Sequence, residues 1–189
     1  MTKVLTSGLA HHDSAERHDA IEMLKADHKA VRKLFAQFAE LVDDKNAADE
    51  KAAIVKQICI ALDVHCRIEE EIFYPAVRAA IGDPGLMDKA LVEQTGAKGL
   101  VAQLEAMHVG DDLYDAKVMV LAEQVDHHAT EEEHEMFPAA KRAKVDTISL
   151  GAEMEALRSQ LMTVQQHPGA DGSARSRSRG ADGRSSAGV

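Results

Sequence analysis

His65-Cys66-Arg67-Ile68-Glu69-Glu70-Glu71-Ile72-Phe73-Tyr74-Pro75 is answered 63 residues later by His128-Ala129-Thr130-Glu131-Glu132-Glu133-His134-Glu135-Met136-Phe137-Pro138. The segments align without a gap, and a histidine, two adjacent carboxylates and a proline recur at the same offsets. A histidine and a glutamate four residues apart share one face of a helix, so both can point at one ion. A single pair of this kind is most often a surface ion pair. Two copies in register predict two helix pairs built to one plan.

The apolar residues around these segments place them on buried faces. The inward positions run Ile21, Leu24, His28, Val31, Phe35, Phe38 in the first predicted helix. They run Ile54, Ile58, Ala61, His65, Glu69, Ile72 in the second and Met87, Ala90, Gln94, Ala97, Val101, Leu104 in the third. The fourth gives Tyr114, Val118, Leu121, Val125, His128, Glu132, Glu135. Spacings of three and four mark one face of a helix. Each stripe is interrupted by a histidine, a glutamine or a His-Glu pair. An unpaired polar group in a core costs roughly 2–7 kcal/mol, and a bare carboxylate more. The groups must therefore satisfy one another or bind something.

Helices are predicted at about 17–42, 48–74, 85–107, 112–136 and 149–165, joined by Asp43-Asp44-Lys45-Asn46, Gly82-Asp83-Pro84-Gly85 and Gly110-Asp111-Asp112. Such short connectors imply an all-α, up-down-up-down antiparallel four-helix bundle with a short extra C-terminal helix. Residues 1–16 are expected to be a flexible lead-in, 17–146 the bundle, 147–166 the added helix and 167–189 a disordered Gly/Ser/Arg-rich tail. Counting from the connectors puts His28 level with His65, and Gln94 with His128. Across the middle connector His65 lies 18 residues before Asp83 and Gln94 only 11 after it. At 1.5 Å per residue that leaves about 10 Å unmatched. Pro75 offers a cause, because proline inside a helix breaks or kinks it, taking residues 76–82 off the axis.

Composition agrees with this plan. Apolar residues make up 45% of the 189 and aromatics 3%, so Leu, Ile, Val, Ala and Met must build the core, which favours helix packing over sheets. The net charge is -10 although residues 168–189 carry four arginines and two aspartates, so the body is more acidic still. That argues against nucleic acid or an anionic membrane as partner. Cys59 and Cys66 lie about 10 Å apart along one helix, beyond disulfide reach, and read as reduced core thiols. No apolar stretch approaches the ~20 residues of a membrane span, and no export signal is evident, so a cytoplasmic location is expected.

Neutral imidazoles and carboxylates together suit iron, manganese or zinc rather than calcium or magnesium. Two glutamates able to bridge, with histidines on both sides, favour a two-metal site. The candidate ligands are His28, His65, Glu69, His128 and Glu132, with Gln94 as a further donor. Glu70, Glu133 and His127 are expected beside the site or at the surface. His11, His12, His18 and His167 belong to flexible or peripheral segments. Glu131-x-x-His134 is half of another kind of di-metal motif whose second half is missing.

Three motifs, Leu24-Lys25-Ala26-Asp27-His28, His65-x3-Glu69-Glu70 and His128-x3-Glu132-Glu133, resemble those of the hemerythrin-like, or HHE cation-binding, family over roughly residues 18–145. The resemblance implies an up-and-down four-helix bundle with a carboxylate-bridged pair of iron ions. His28, His65 and His128 would be terminal ligands and Glu69 and Glu132 the bridges. It also implies a histidine on the third helix, where this chain has Gln94; His108 lies too far along to substitute. Members of that family variously bind oxygen, respond to nitric oxide or oxygen, store or sense iron, or handle peroxide. The expected function is binding or reaction with a small oxidant (O2, NO or peroxide), with a place in a stress response. Alternatives are an iron-binding module without turnover and a metal-free bundle in which the polar layer only sets helix register.

Overall fold

The computed structural model describes residues 19–166, which contain helices and no strand. The expectations for residues 1–16 and 167–189 lie outside the described residues. The helices are α1 (Ala20–Leu41), α2 (Ala48–Ile68), α3 (Tyr74–Ile81), α4 (Pro84–Glu105), α5 (Tyr114–Glu131), α6 (Phe137–Arg142) and α7 (Thr147–Gln166). Two five-residue π-helical turns, Glu69–Phe73 and Glu132–Met136, join α2 to α3 and α5 to α6, making two continuous rods.

Local chemistry fixes the ends. Asp19 caps α1, its Oδ1 accepting from the backbone of Ile21 at 2.9 Å and Glu22 at 3.1 Å. Gly82 closes α3 at φ +64°, a left-handed conformation that suits glycine. Asp83 then caps α4 through Leu86 N–H, with Pro84 at its first turn.

α1 packs on α2, α2 on α4, α4 on α5, and α5 back on α1, while α7 lies outside against α1, α2 and the first π turn. Asp19 joins the starts of α1 and α7, its Oδ2 accepting from Thr147 Oγ1 at 2.6 Å. Two apolar clusters fill the interior. One contains Ile21, Leu24, Phe73, Met87, Phe137 and Met154; the other contains Val31, Phe38, Ile58, Leu104, Val118 and Leu121. Fully burying each such side chain contributes about 1.5–3 kcal/mol. Between the clusters lie His28, His65, Glu69, Gln94, His128 and Glu132, all buried.

The expected break after Pro75 does not occur, because residues 74–81 continue as helix. The middle connector balances for another reason: Gln94 meets Glu69, one turn nearer Asp83 than His65. The π turns also correct the ends of two stripes. Each carries one residue more than an α-helical turn, so Phe73 and Met136 face the core, whereas Ile72 is half-buried and Glu135 exposed. In mid-helix, Leu62 takes the deeper position expected of Ala61.

Candidate metal centre

The repeated proline explains the local backbone. A proline within an α-helix lacks an N–H and clashes with the carbonyl four residues back. Here the turn before each proline is widened: Tyr74 N–H bonds to the Glu69 carbonyl and Phe137 N–H to that of Glu132, five residues back in both cases. The wider turn lets the rod pass its proline, and its first residue is the buried glutamate of the repeat. Turns of this type occur frequently at functional sites.

The two glutamates lie at the centre, and each extends its oxygens to opposite sides. Glu69 Oε1 lies 3.2 Å from His65 Nε2, while its Oε2 accepts from Gln94 Nε2 at 2.7 Å and lies 3.2 Å from Tyr74 Oη. Glu132 Oε2 lies 3.3 Å from His28 Nε2, and its Oε1 accepts from Tyr74 Oη at 2.8 Å with His128 Nε2 3.8 Å away. Inward atoms of His28, His65, Glu69 and Glu132 all fall within 4.8 Å of one another, a group that could hold a metal ion. His128 is not in that group. It belongs to the other side, with its Nε2 3.2 Å from Tyr74 Oη.

Behind each imidazole stands a carboxylate. His28 Nδ1 meets Glu133 Oε1 at 2.9 Å, His65 Nδ1 meets Asp27 Oδ2 at 3.4 Å, and His128 Nδ1 meets Glu93 Oε2 at 3.1 Å. A carboxylate only accepts, so Nδ1 carries hydrogen and each Nε2 is turned inward. Two of the three carboxylates are backed in turn by arginine. Arg32 donates to Glu133 at 2.9 Å and to Asp126 at 2.7 Å, and Arg158 of α7 grips both oxygens of Asp27 at 3.1 and 2.6 Å.

The charges within the cluster are poorly balanced without a cation. Burial raises the Glu69 carboxyl, and the facing Glu132 charge raises it further against the pull of His65 and His128. Burial also opposes ionisation of Glu132, but the His28 contact and the charges of His128 and His65 hold it low. His65 would be lowered by burial, yet Glu69 and Asp27 raise it well above an ordinary imidazole. A proton there supplies part of the positive charge the carboxylates require. Burial and the same two glutamates push the Tyr74 phenol up, so it keeps its hydrogen and donates. His28 Nε2, Glu69 Oε1, Gln94 Oε1 and Glu132 Oε2 are buried without a hydrogen-bond partner. Leaving such groups unsatisfied costs about 1–3 kcal/mol each. They are donors of the kind a cation takes up, and the residues fit a metal.

Sequence reasoning missed Tyr74, which the repeat pairs with Phe137 and which alone of the two brings a hydroxyl. It also missed the supports Asp27, Glu93, Arg32 and Arg158. Asp27 stood in the quoted Leu24–His28 motif, but its target is on another helix, which local spacing does not show. Glu133 is a support, as expected, and Glu70 pairs with Lys98 at 3.0 Å. His127 is exposed beside Glu93 and Glu131, where Lys89 also binds Glu131. Exposed His134 bonds only to its own helix, at the Thr130 carbonyl. Cys59 and Cys66 are free and buried, and burial pushes the Cys59 thiol up to about 11.

Residues 19–172 match the family described as Hemerythrin HHE cation binding domain. The chain belongs to this family. A solved hemerythrin HHE cation binding domain-containing protein from Mycobacterium kansasii is similar over 79% of this chain and 93% of its own, with a TM-score of 0.63 and 26% identity. A DNA nickase of Nostoc sp. (strain PCC 7120) is 27% identical over 142 residues, 74% of this chain. The HHE chain spans only 39% of that relative's length. Among the described residues of this HHE protein, no helix is long and apolar enough to cross a membrane.

Proposed function

We propose that this HHE domain is a di-iron protein that binds or reduces a small oxidant (O2, NO or peroxide), with a place in the stress response of the cytoplasm. In this reading the four longest rods run up-down-up-down, and His28, His65 and His128 would hold the iron as terminal ligands with Glu69 and Glu132 shared between the ions. The observation that carries it is the pair of buried glutamates with one oxygen on each side, Oε1 of Glu69 and Oε2 of Glu132 facing two histidines and the opposite oxygens facing Tyr74. Bound iron would supply a Lewis-acidic centre able to change oxidation state.

The chain's own residues prepare that chemistry. Asp27, Glu93 and Glu133 orient the imidazoles and raise their basicity; removing such supports typically costs 10–100-fold in metal affinity. Tyr74 holds a proton on Oη, 2.8 Å from Glu132 Oε1, and donates it there. Phe73 and Phe137, both buried, belong to the apolar cluster at one end of the centre. Gln94 offers a neutral amide oxygen where an imidazole would bind more strongly, so two bound ions would be held unequally. That asymmetry favours sensing or oxidant chemistry over oxygen carriage.

The test is to purify the full chain aerobically, count iron per chain, and follow the near-ultraviolet spectrum on addition of NO or peroxide. About two irons and a spectral response are expected. His65→Ala and Glu132→Ala should each lower the iron content. Absence of transition metal after reconstitution, or unchanged loading in both variants, would overturn the assignment.

A further inference from the structure

A cavity of about 510 Å³ borders the histidines of the centre. His28, His65 and His128 form part of its wall, whereas Glu69, Glu132 and Tyr74 do not, so it lies on the side away from the glutamates. O2, NO and peroxide are each comparable in size to a water molecule, whose share of liquid volume is about 30 Å³. The cavity is more than ten times that. An engineered cavity of about 150 Å³ suffices for benzene, and pockets for organic ligands run from about 300 to 1,000 Å³.

Small side chains line it from the surface inward: Ala30 of α1 is exposed, Ala61 of α2 half-buried, and Ala97 of α4 and Ala129 of α5 buried. About half of the lining residues are aliphatic and no phenylalanine or tyrosine contributes, while Asp27, Glu93 and the amides of Gln57, Gln94 and Gln124 stand among the polar remainder. Aliphatic walls hold water poorly. One polar atom stands out: Arg158 Nε is buried and has no hydrogen-bond partner, although the guanidinium end is engaged with Asp27.

From these observations we propose that the centre takes an organic molecule as well as an oxidant: an uncharged, apolar body with one hydrogen-bond-accepting group, seated beside the histidines. The placement next to metal rests on the di-iron reading above, while the binding cavity itself does not. The apolar body lies against the aliphatic side chains and the alanines that line the cavity, and the acceptor is offered the Arg158 Nε–H.

The test uses 6-propionyl-2-dimethylaminonaphthalene, an uncharged fluorophore with one carbonyl whose emission shifts to the blue in apolar surroundings. It is titrated into the full chain, and iron is counted on the same samples. Saturable binding at one molecule per chain is expected. Ala61→Leu and Ala97→Leu, on facing helices, should each weaken it at least tenfold. Ala61 is only half-buried, so leucine there need not disturb the core. Circular dichroism establishes that each variant is folded. Iron without saturable fluorophore binding overturns the cavity proposal and leaves the di-iron reading standing. Fluorophore binding without iron does the reverse. Unchanged affinity in the folded Ala61→Leu protein also overturns the proposal.

Discussion

Replacing Tyr74 with phenylalanine removes one oxygen from the middle of the site and nothing else. The hydroxyl lies 2.8 Å from Glu132 Oε1, 3.2 Å from Glu69 Oε2 and 3.2 Å from His128 Nε2. It has one hydrogen to give, so the loss is one hydrogen bond to a buried charged acceptor, about 1.5–3 kcal/mol. Phenylalanine already occupies the matching position of the second repeat, at Phe137, so the ring itself suits this plan. At about 2–4 °C per kcal/mol for a chain of this size, a loss near 2 kcal/mol lowers the melting temperature by roughly 4–8 °C. The assay is thermal unfolding by circular dichroism after dialysis against a chelator, which leaves the glutamates dependent on the chain's own donors. The reciprocal variant Phe137→Tyr is the control. It buries a hydroxyl within an apolar cluster, beside Phe73 and His28 rings at 5.7 and 6.0 Å, and should also destabilise. A Tyr74→Phe protein that melts within a degree of wild type would refute the claim that this hydroxyl satisfies the glutamates.

Other changes test other parts. Burial raises the Asp27 carboxyl, but His65 and Arg158 outweigh it and lower it below 3.8, so its contribution is present above about pH 4 and is lost as pH falls through the lowered value. The gap in melting temperature between wild type and Asp27→Asn should therefore narrow on acidification from about pH 5 to pH 3; a constant gap counts against the Asp27 pairing. Gln94→His gives α4 an imidazole facing the glutamates and should slow iron withdrawal by a chelator, whereas faster withdrawal would show that Gln94 does not face the metal. Met87→Ala empties a fully buried position and should cost about 2–5 kcal/mol in urea unfolding. A cost under about 1 kcal/mol would mean that the cluster around Met87 collapses freely.

The stripes of α1 and α4 were legible residue by residue, because an uninterrupted α-helix keeps one phase throughout. The rods containing Pro75 and Pro138 kept that phase only as far as their glutamates. Beyond them a wider turn advances the register, and an α-helical period assigns Ile72 and Glu135 to places that Phe73 and Met136 occupy. The prolines were visible, but whether a proline is met by a break or by a wider turn depends on what the following helix packs against. Here α3 packs on α4 and α6, which favours continuing the rod. The same limit hid the partners of the imidazoles. His65 and Glu69 are four apart and readable as a pair, but Asp27 reaches His65 from α1 and is itself held by Arg158 of α7. Such contacts depend on how helices are rotated against one another, to which sequence periodicity is blind.

The two π turns begin at the two central glutamates, and each amounts to one extra residue in an otherwise α-helical rod. Removing one residue from such a turn and replacing its proline would restore the ordinary helix while leaving the following segment facing the same way. A descendant that no longer needs the glutamate is then free to lose residue and proline together without losing the bundle. One-residue deletions between His65 and the position of Pro75, or between His128 and that of Pro138, accompanied by loss of the proline, would act as an evolutionary signature of abandoned metal binding, readable in sequences whose histidines have not yet drifted.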